Sequence, residues 1–120
     1  MAGFTPPDAI VNRVLIVEDD REEAAFLRDY LERQGMTVEV ARDGGQAHAS
    51  FSMHLPDFVL LDVLLPNVSG FEVCEQLKRI NDSVPIAFLT GVDMDDARDL
   101  ARRVGADDYV TKPYDPDELL

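Results

Sequence analysis

Arg13–Val17 reads RVLIV, a short apolar run of the kind buried on both faces of a parallel sheet. Four more segments carry a similar signature: Thr37–Ala41, Asp57–Leu61 (DFVLL), Val84–Leu89 (VPIAFL) and Asp108–Thr111 (DYVT). Between them the apolar positions switch to helical period. In the first intervening segment Ala24, Leu27 and Leu31 share a face, and Gly35 ends it. The second, Gly44–His54, rests mainly on Ala47 and Phe51. The third runs from about Ser69 to Ile80, with Val73, Leu77 and Ile80 expected to face inward. In the fourth, Ala97, Leu100, Ala101 and Val104 recur at i, i+3, i+4 and i+7, and Gly105 follows as a stop.

Strict alternation of strand and helix predicts an α/β fold, a doubly wound parallel sheet with helices on both faces and right-handed crossovers. Five strands suggest the flavodoxin-like order 2-1-3-4-5. Residues 13–120 are expected to form this one domain. Residues 1–12 read as a loose arm, with Pro6 and Pro7 discouraging regular structure. Pro113 and Asp115–Glu118 look like the start of a fifth helix that Leu120 cuts off after about one turn. Either the chain is cut there or a further domain follows.

The composition narrows the partners. With 120 residues and 46% hydrophobic positions, a core can form without disulfides or metals. No apolar run approaches the roughly 18 residues of a membrane span. The opening residues lack a cationic region followed by an apolar stretch, so no secretory signal is expected. The single cysteine, Cys74, fits a reducing cytoplasm. Asp and Glu number 24 against 11 Lys and Arg, a formal net charge of −13. That field repels phosphate backbones and anionic lipid, so cations and basic protein surfaces are the expected partners, not nucleic acid or membrane.

In an open α/β sheet, function sits beyond the carboxyl ends of the strands. Glu18, Asp19 and Asp20 follow the first strand, Asp62 the third, Thr90 the fourth and Lys112 the fifth. Carboxylates that converge on one edge repel one another unless a cation intervenes, and such hard oxygen ligands suit Mg²⁺. An Asp at such a place can act as a nucleophile towards phosphorus. Lys112 and the cation would then neutralise the transferring oxygens, and Thr90 would supply a hydrogen bond.

The segments VLIVEDD, LLDVLLPNVSG, IAFLTG and DDYVTKPYDPDELL resemble, in order and interval, the four signature segments of response-regulator receiver domains. The resemblance covers nearly all of Arg13–Leu120. It implies that Asp62 is the phosphoacceptor and that Mg²⁺ is the cofactor. Asp19 and Asp62 would be direct ligands, Glu18 would act largely through water, and the backbone carbonyl of Leu64 would be the third protein ligand. Thr90 would be the switch hydroxyl, Lys112 the phosphate-contacting cation and Tyr109 the aromatic switch residue. The family implies a cytoplasmic signalling switch that catalyses only its own phosphorylation and dephosphorylation. Its partners would be a histidine kinase or phosphotransfer protein and a possible effector domain beyond Leu120. A homodimer through the face of the fourth helix, fifth strand and fifth helix is also possible. The Lys112–Pro113 bond is expected to be cis.

Plainer readings stand beside these. Asp20 with Glu23 fits a D-x-x-E capping pattern for the first helix. Asp93, Asp95 and Asp96 suit the positive end of the fourth helix and lack the glycine and terminal Glu of a calcium loop. Cys74 is expected to be packed, and His48 and His54 to lie at the surface. Tyr109 could equally be a half-buried strand residue on position alone. Pro66 and Gly70 would shape the loop after Asp62. A flavodoxin is disfavoured because Glu18–Asp20 would repel a flavin phosphate. A haloacid-dehalogenase-type phosphatase needs a second carboxylate where Leu64 stands. The serious rival is a pseudo-receiver that is never phosphorylated and works only as a binding module. Such modules usually lack the nucleophile, an acid or the lysine, all of which are present.

Overall fold

The computed structural model describes residues 12–119, with side chains as far as Asp117. The expected arm, up to residue 11, lies outside the described residues. The chain alternates β1 (Arg13–Val17), α1 (Arg21–Arg33), β2 (Thr37–Ala41), α2 (Gly44–His54), β3 (Phe58–Leu61), α3 (Gly70–Ile80), β4 (Ile86–Thr90), α4 (Asp95–Arg103) and β5 (Asp108–Thr111). All neighbouring strands pair parallel in the order β2-β1-β3-β4-β5, the order expected.

The unbroken apolar runs have the anticipated cause. Leu15 and Val17 of β1, Val59 and Leu61 of β3, and Ile86 and Phe88 of β4 face one way, against Phe51, Val73, Leu77 and Ala101. Val14, Ile16, Leu60, Ala87 and Leu89 face the other way, against Leu27 and Leu31 of α1. Strand side chains alternate between faces, so a sheet covered on both sides needs apolar residues at every position.

The helix ends follow local chemistry. Asp20 caps α1 by accepting from the backbone N–H groups of Glu22 and Glu23. Asp43 caps α2 through Gln46, and Ser69 caps α3 through Glu72. Gly35 and Gly105 follow α1 and α4 with φ of 91° and 96°.

Several expectations are corrected. The third strand begins at Phe58, because Asp57 turns to Arg13, accepting from its N–H at 2.8 Å. The fourth strand is Ile86–Thr90, two residues later at its start and one at its end. Pro85 has no N–H for a ladder, whereas the Thr90 carbonyl accepts from Lys112 N–H at 2.9 Å. Ile80 is 42% exposed, the last residue of α3 and one turn past the buried Leu77. Leu100 is exposed as well. Adjacent helical residues point about 100° apart, so with Ala101 against the core its neighbour is turned outward. The start expected for a fifth helix is not among these corrections: Pro116–Leu119 forms a 3₁₀ turn, and Leu120 lies outside the described residues.

Candidate functional site

The parallel register decides which strand ends meet. Val17 lies level with Leu61, so the next residues, Glu18 and Asp62, come out side by side. Backbone bonds hold both: Glu18 N–H donates to the Ala41 carbonyl at 2.9 Å, and Asp62 N–H to the Val17 carbonyl at 3.0 Å. Both carboxylates are buried, while Asp19 is exposed. Oxygens of Glu18, Asp19 and Asp62 lie within 4.8 Å of one another, and among the described residues this is the one such grouping of three potential metal ligands. Octahedral Mg²⁺ at about 2.1 Å from its ligands needs oxygens about 3–4 Å apart, close to the spacing already present. The oxygen-only donor set and the spacing both fit that ion.

Lys112 follows directly on β5 and precedes a cis peptide bond to Pro113, as expected. Its ammonium lies 2.9 Å from Glu18 Oε1, 2.7 Å from Glu23 Oε2 and 3.4 Å from Asp62 Oδ2. Burial alone would depress its pKa, but the hydrogen bonds it donates to Glu23 and Glu18 and the charge of Asp62 outweigh burial and raise it. Glu18 is pushed up to about 8, first by burial and then by the neighbouring Asp62 charge, against the opposing pull of Lys112. Burial, more than the Asp62 charge, makes this carboxyl hold its proton, and a bound divalent cation would favour its ionised form.

Glu23 was expected in the helix cap, as part of the D-x-x-E pattern with Asp20. Asp20 does cap, but Glu23 does not return the bond; Asp20 N–H instead donates to Glu18 Oε2 at 3.3 Å. The sequence held one clue. Helical side chains lean towards the helix N-terminus, so a long acid in the first turn of α1 leans back over the end of β1.

The loop after Asp62 is built closely around it. Leu64 N–H donates to Asp62 Oδ1 at 3.2 Å, while the Leu64 side chain is 66% exposed. Gly70 N–H donates to the Val63 carbonyl at 2.8 Å, and a Cβ at Gly70 would sit 2.0 Å from the Asp62 carbonyl oxygen. Only glycine permits that approach.

Thr90 is fully buried at the end of β4, and its Oγ1 accepts from Val92 N–H at 3.2 Å. Tyr109 donates its hydroxyl to the Val92 carbonyl at 2.5 Å. Its ring packs 5.9 Å from Phe88, with the Arg98 guanidinium 4.9 Å from the ring centre. Burial raises the Tyr109 pKa against the lowering effect of Arg98. The two residues expected to act as a switch thus hold opposite sides of one loop residue, Val92. The remaining candidates stay apart from the site. Cys74 is buried, with its thiol pushed up to about 11 by burial, and His48 is exposed, as expected. His54 is half-buried, its carbonyl accepting from Arg13. Asp93 pairs with Arg98, and Asp95 and Asp96 lie in the first turn of α4.

The chain matches the family model described as the response regulator receiver domain over residues 14–120. It is 43% identical over 108 residues to the response regulator MprA of Mycobacterium ulcerans, covering 90% of this chain and 47% of the relative. The chain thus spans about half the length of the curated relatives it matches. Among solved structures, the beryllofluoride-activated receiver domain of Klebsiella pneumoniae RstA superposes with a TM-score of 0.84 at 35% identity, covering 90% of this chain and 92% of that one. A Burkholderia pseudomallei response regulator solved with a phosphorylated aspartic acid, a calcium ion and citrate superposes with a TM-score of 0.86 at 27% identity, covering 90% and 64% respectively. With nearly its whole described length in that match, and carboxylates, lysine and hydroxyl gathered at one sheet edge, the chain belongs to the family of response regulator receiver domains.

Proposed function

We propose that the chain is a phosphorylation-activated switch that accepts a phosphoryl group on Asp62 from a histidine kinase or phosphotransfer protein. One observation carries this reading. The buried Asp62 carboxylate lies beside an acid pair suited to a cation and 3.4 Å from a lysine ammonium.

The chemistry follows from the placement. One Asp62 oxygen is held by the Leu64 N–H, leaving the other, beside Lys112, to attack phosphorus. Its electron pair forms the new P–O bond as the P–N bond to the donor imidazole breaks, and that bonding pair leaves with the nitrogen. Lys112 faces the negative charge on the transferring oxygens. Thr90 accepts from Val92 N–H through oxygen, so its own proton is free to donate to the phosphoryl group. Mg²⁺ held by Glu18, Asp19, Asp62 and the Leu64 carbonyl would supply the remaining charge neutralisation.

Signalling would follow when Thr90 turns to the phosphoryl group and gives up Val92 N–H, loosening the residue that also anchors Tyr109. Tyr109 would then move further inward, changing the face made by α4 and β5. That face would carry the output to an effector domain in a longer protein, or to a second copy. The chain acts on no other substrate and works in the cytoplasm, where its phosphohistidine donors stand. The charge of −13 makes direct nucleic-acid binding by this domain unfavourable. No helix among the described residues is long and apolar enough to cross a membrane.

Beryllofluoride titration with Mg²⁺ separates this reading from a pseudo-receiver. The phosphorylated switch saturates and shifts amide signals at Thr90 and Tyr109. A pseudo-receiver shows no saturable response.

A further inference from the structure

We infer that Glu23 is a positioning residue that holds the Lys112 ammonium at rest and competes with the phosphoryl oxygens for it. The inference rests on Asp62 being the phosphoacceptor. An ammonium has three donors, and here three carboxylates take them: Glu23 at 2.7 Å, Glu18 at 2.9 Å and Asp62 at 3.4 Å. An incoming phosphoryl oxygen finds no free donor unless one acceptor lets go. Glu18 and Asp62 each have a second part in the site, as members of the cation-binding group. The Glu23 side chain makes this bond alone among the described residues, and it is the shortest of the three.

The geometry makes the restraint effective. Glu23 stands in the first turn of α1, fixed by the Asp20 cap, so it cannot follow Lys112 far towards Asp62. Both side chains are mostly shielded, 22% exposed for Lys112 and 21% for Glu23, so solvent weakens the pair less than it would on the surface. Glu23 is also a third carboxylate, with Glu18 and Asp62, around one ammonium. Its charge opposes the arrival of a phosphoryl dianion. Glu23 therefore biases the switch towards its resting state.

The test is beryllofluoride affinity at saturating Mg²⁺, with wild type, Glu23→Gln and Glu23→Leu. Glutamine keeps the shape and an acceptor while removing the charge. We expect Glu23→Gln to bind roughly three- to tenfold more tightly, the order of one partly shielded ion pair. Glu23→Leu covers the case in which Glu23→Gln does not fold, and should move the same way. The gain should vanish in a Lys112→Met background, which a general loss of negative charge would not predict. Equal or weaker binding by Glu23→Gln, or a gain that survives without Lys112, overturns the inference. Wild type that binds no beryllofluoride fails the phosphoacceptor reading and this inference with it. Wild type that binds while Glu23→Gln is unchanged fails this inference alone.

Discussion

Adding one methyl group at Gly70 should damage the site from behind. The new Cβ would lie 2.0 Å from the Asp62 carbonyl oxygen and 2.9 Å from both Asp62 C and Val63 Cα. All three are backbone atoms, so no side-chain rotation relieves the contact. A carbon and an oxygen settle no closer than about 3.2 Å, so α3 and the end of β3 must part by about 1 Å. That movement strains the 2.8 Å bond from Gly70 N–H to the Val63 carbonyl. Overpacking costs about 1–3 kcal/mol and the lost bond about 1 kcal/mol, so Gly70→Ala should destabilise by about 2–4 kcal/mol. With a urea slope of about 2 kcal/mol/M, the midpoint falls by about 1–2 M. Gly45→Ala is the matched control. Its Cβ would meet only Asp43 Oδ1, at 3.5 Å, and alanine favours the helix by up to about 1 kcal/mol. Urea unfolding of the two variants should therefore shift in opposite directions. Equal midpoints would refute the backbone clash as the reason for glycine at this position.

Four further outcomes follow from the site. Because Glu18 in the metal-free site is raised from 4.5 to about 8, Mg²⁺ must displace a proton below that value. Calorimetric Mg²⁺ affinity should rise by up to about tenfold per pH unit below about pH 8 and level off above it; a flat profile from pH 6.5 to 8.5 would remove the proton from the account. The same raised value means that folding binds the proton, so metal-free stability should fall as pH rises from about 4.5 to about 8, measurable by urea midpoints with and without Mg²⁺. Thr90→Ala should still take phosphate on Asp62 but lose most of the amide shift at Val92 and Tyr109 on phosphorylation, and a full wild-type shift would break the proposed link through Val92. Finally, Leu64 and Val92 offer no side-chain hydrogen bond to an attacking water. The phosphoryl group should persist, and Leu64→Asn, at a 66% exposed position where packing is not at stake, should shorten its life; unchanged decay would free Leu64 of that role.

The strand order and most helices were legible because a sheet buried on both faces writes its strands as continuous apolar runs, as in RVLIV. What was not legible depended on angle or on reach across the fold. Leu100 matched the helical period of Ala97, Ala101 and Val104, yet α4 meets the core through Ala101 alone among its fully buried residues. Periodicity gives the stripe but not how much of its width the sheet covers. Asp62, Glu18 and Lys112 were readable because each follows a strand, and a parallel sheet brings those positions to one edge. Glu23 sits on a helix and reaches the edge only through its length, so a motif that also fits a cap concealed it. The shared hold of Thr90 and Tyr109 on Val92 involves backbone atoms of a loop residue, which side-chain identity does not encode.

In the proposed switch, Asp62 carries the phosphoryl group and needs Mg²⁺ to do so. Intact mass after incubation with acetyl phosphate tests this directly, with wild type, Asp62→Asn and wild type with the metal chelated. Wild type with Mg²⁺ should gain one phosphoryl group, linked through an alkali-labile acyl bond. Asp62→Asn should gain none, and wild type without the metal little. Equal phosphorylation of Asp62→Asn, or none on wild type with Mg²⁺ present, would contradict this role for Asp62.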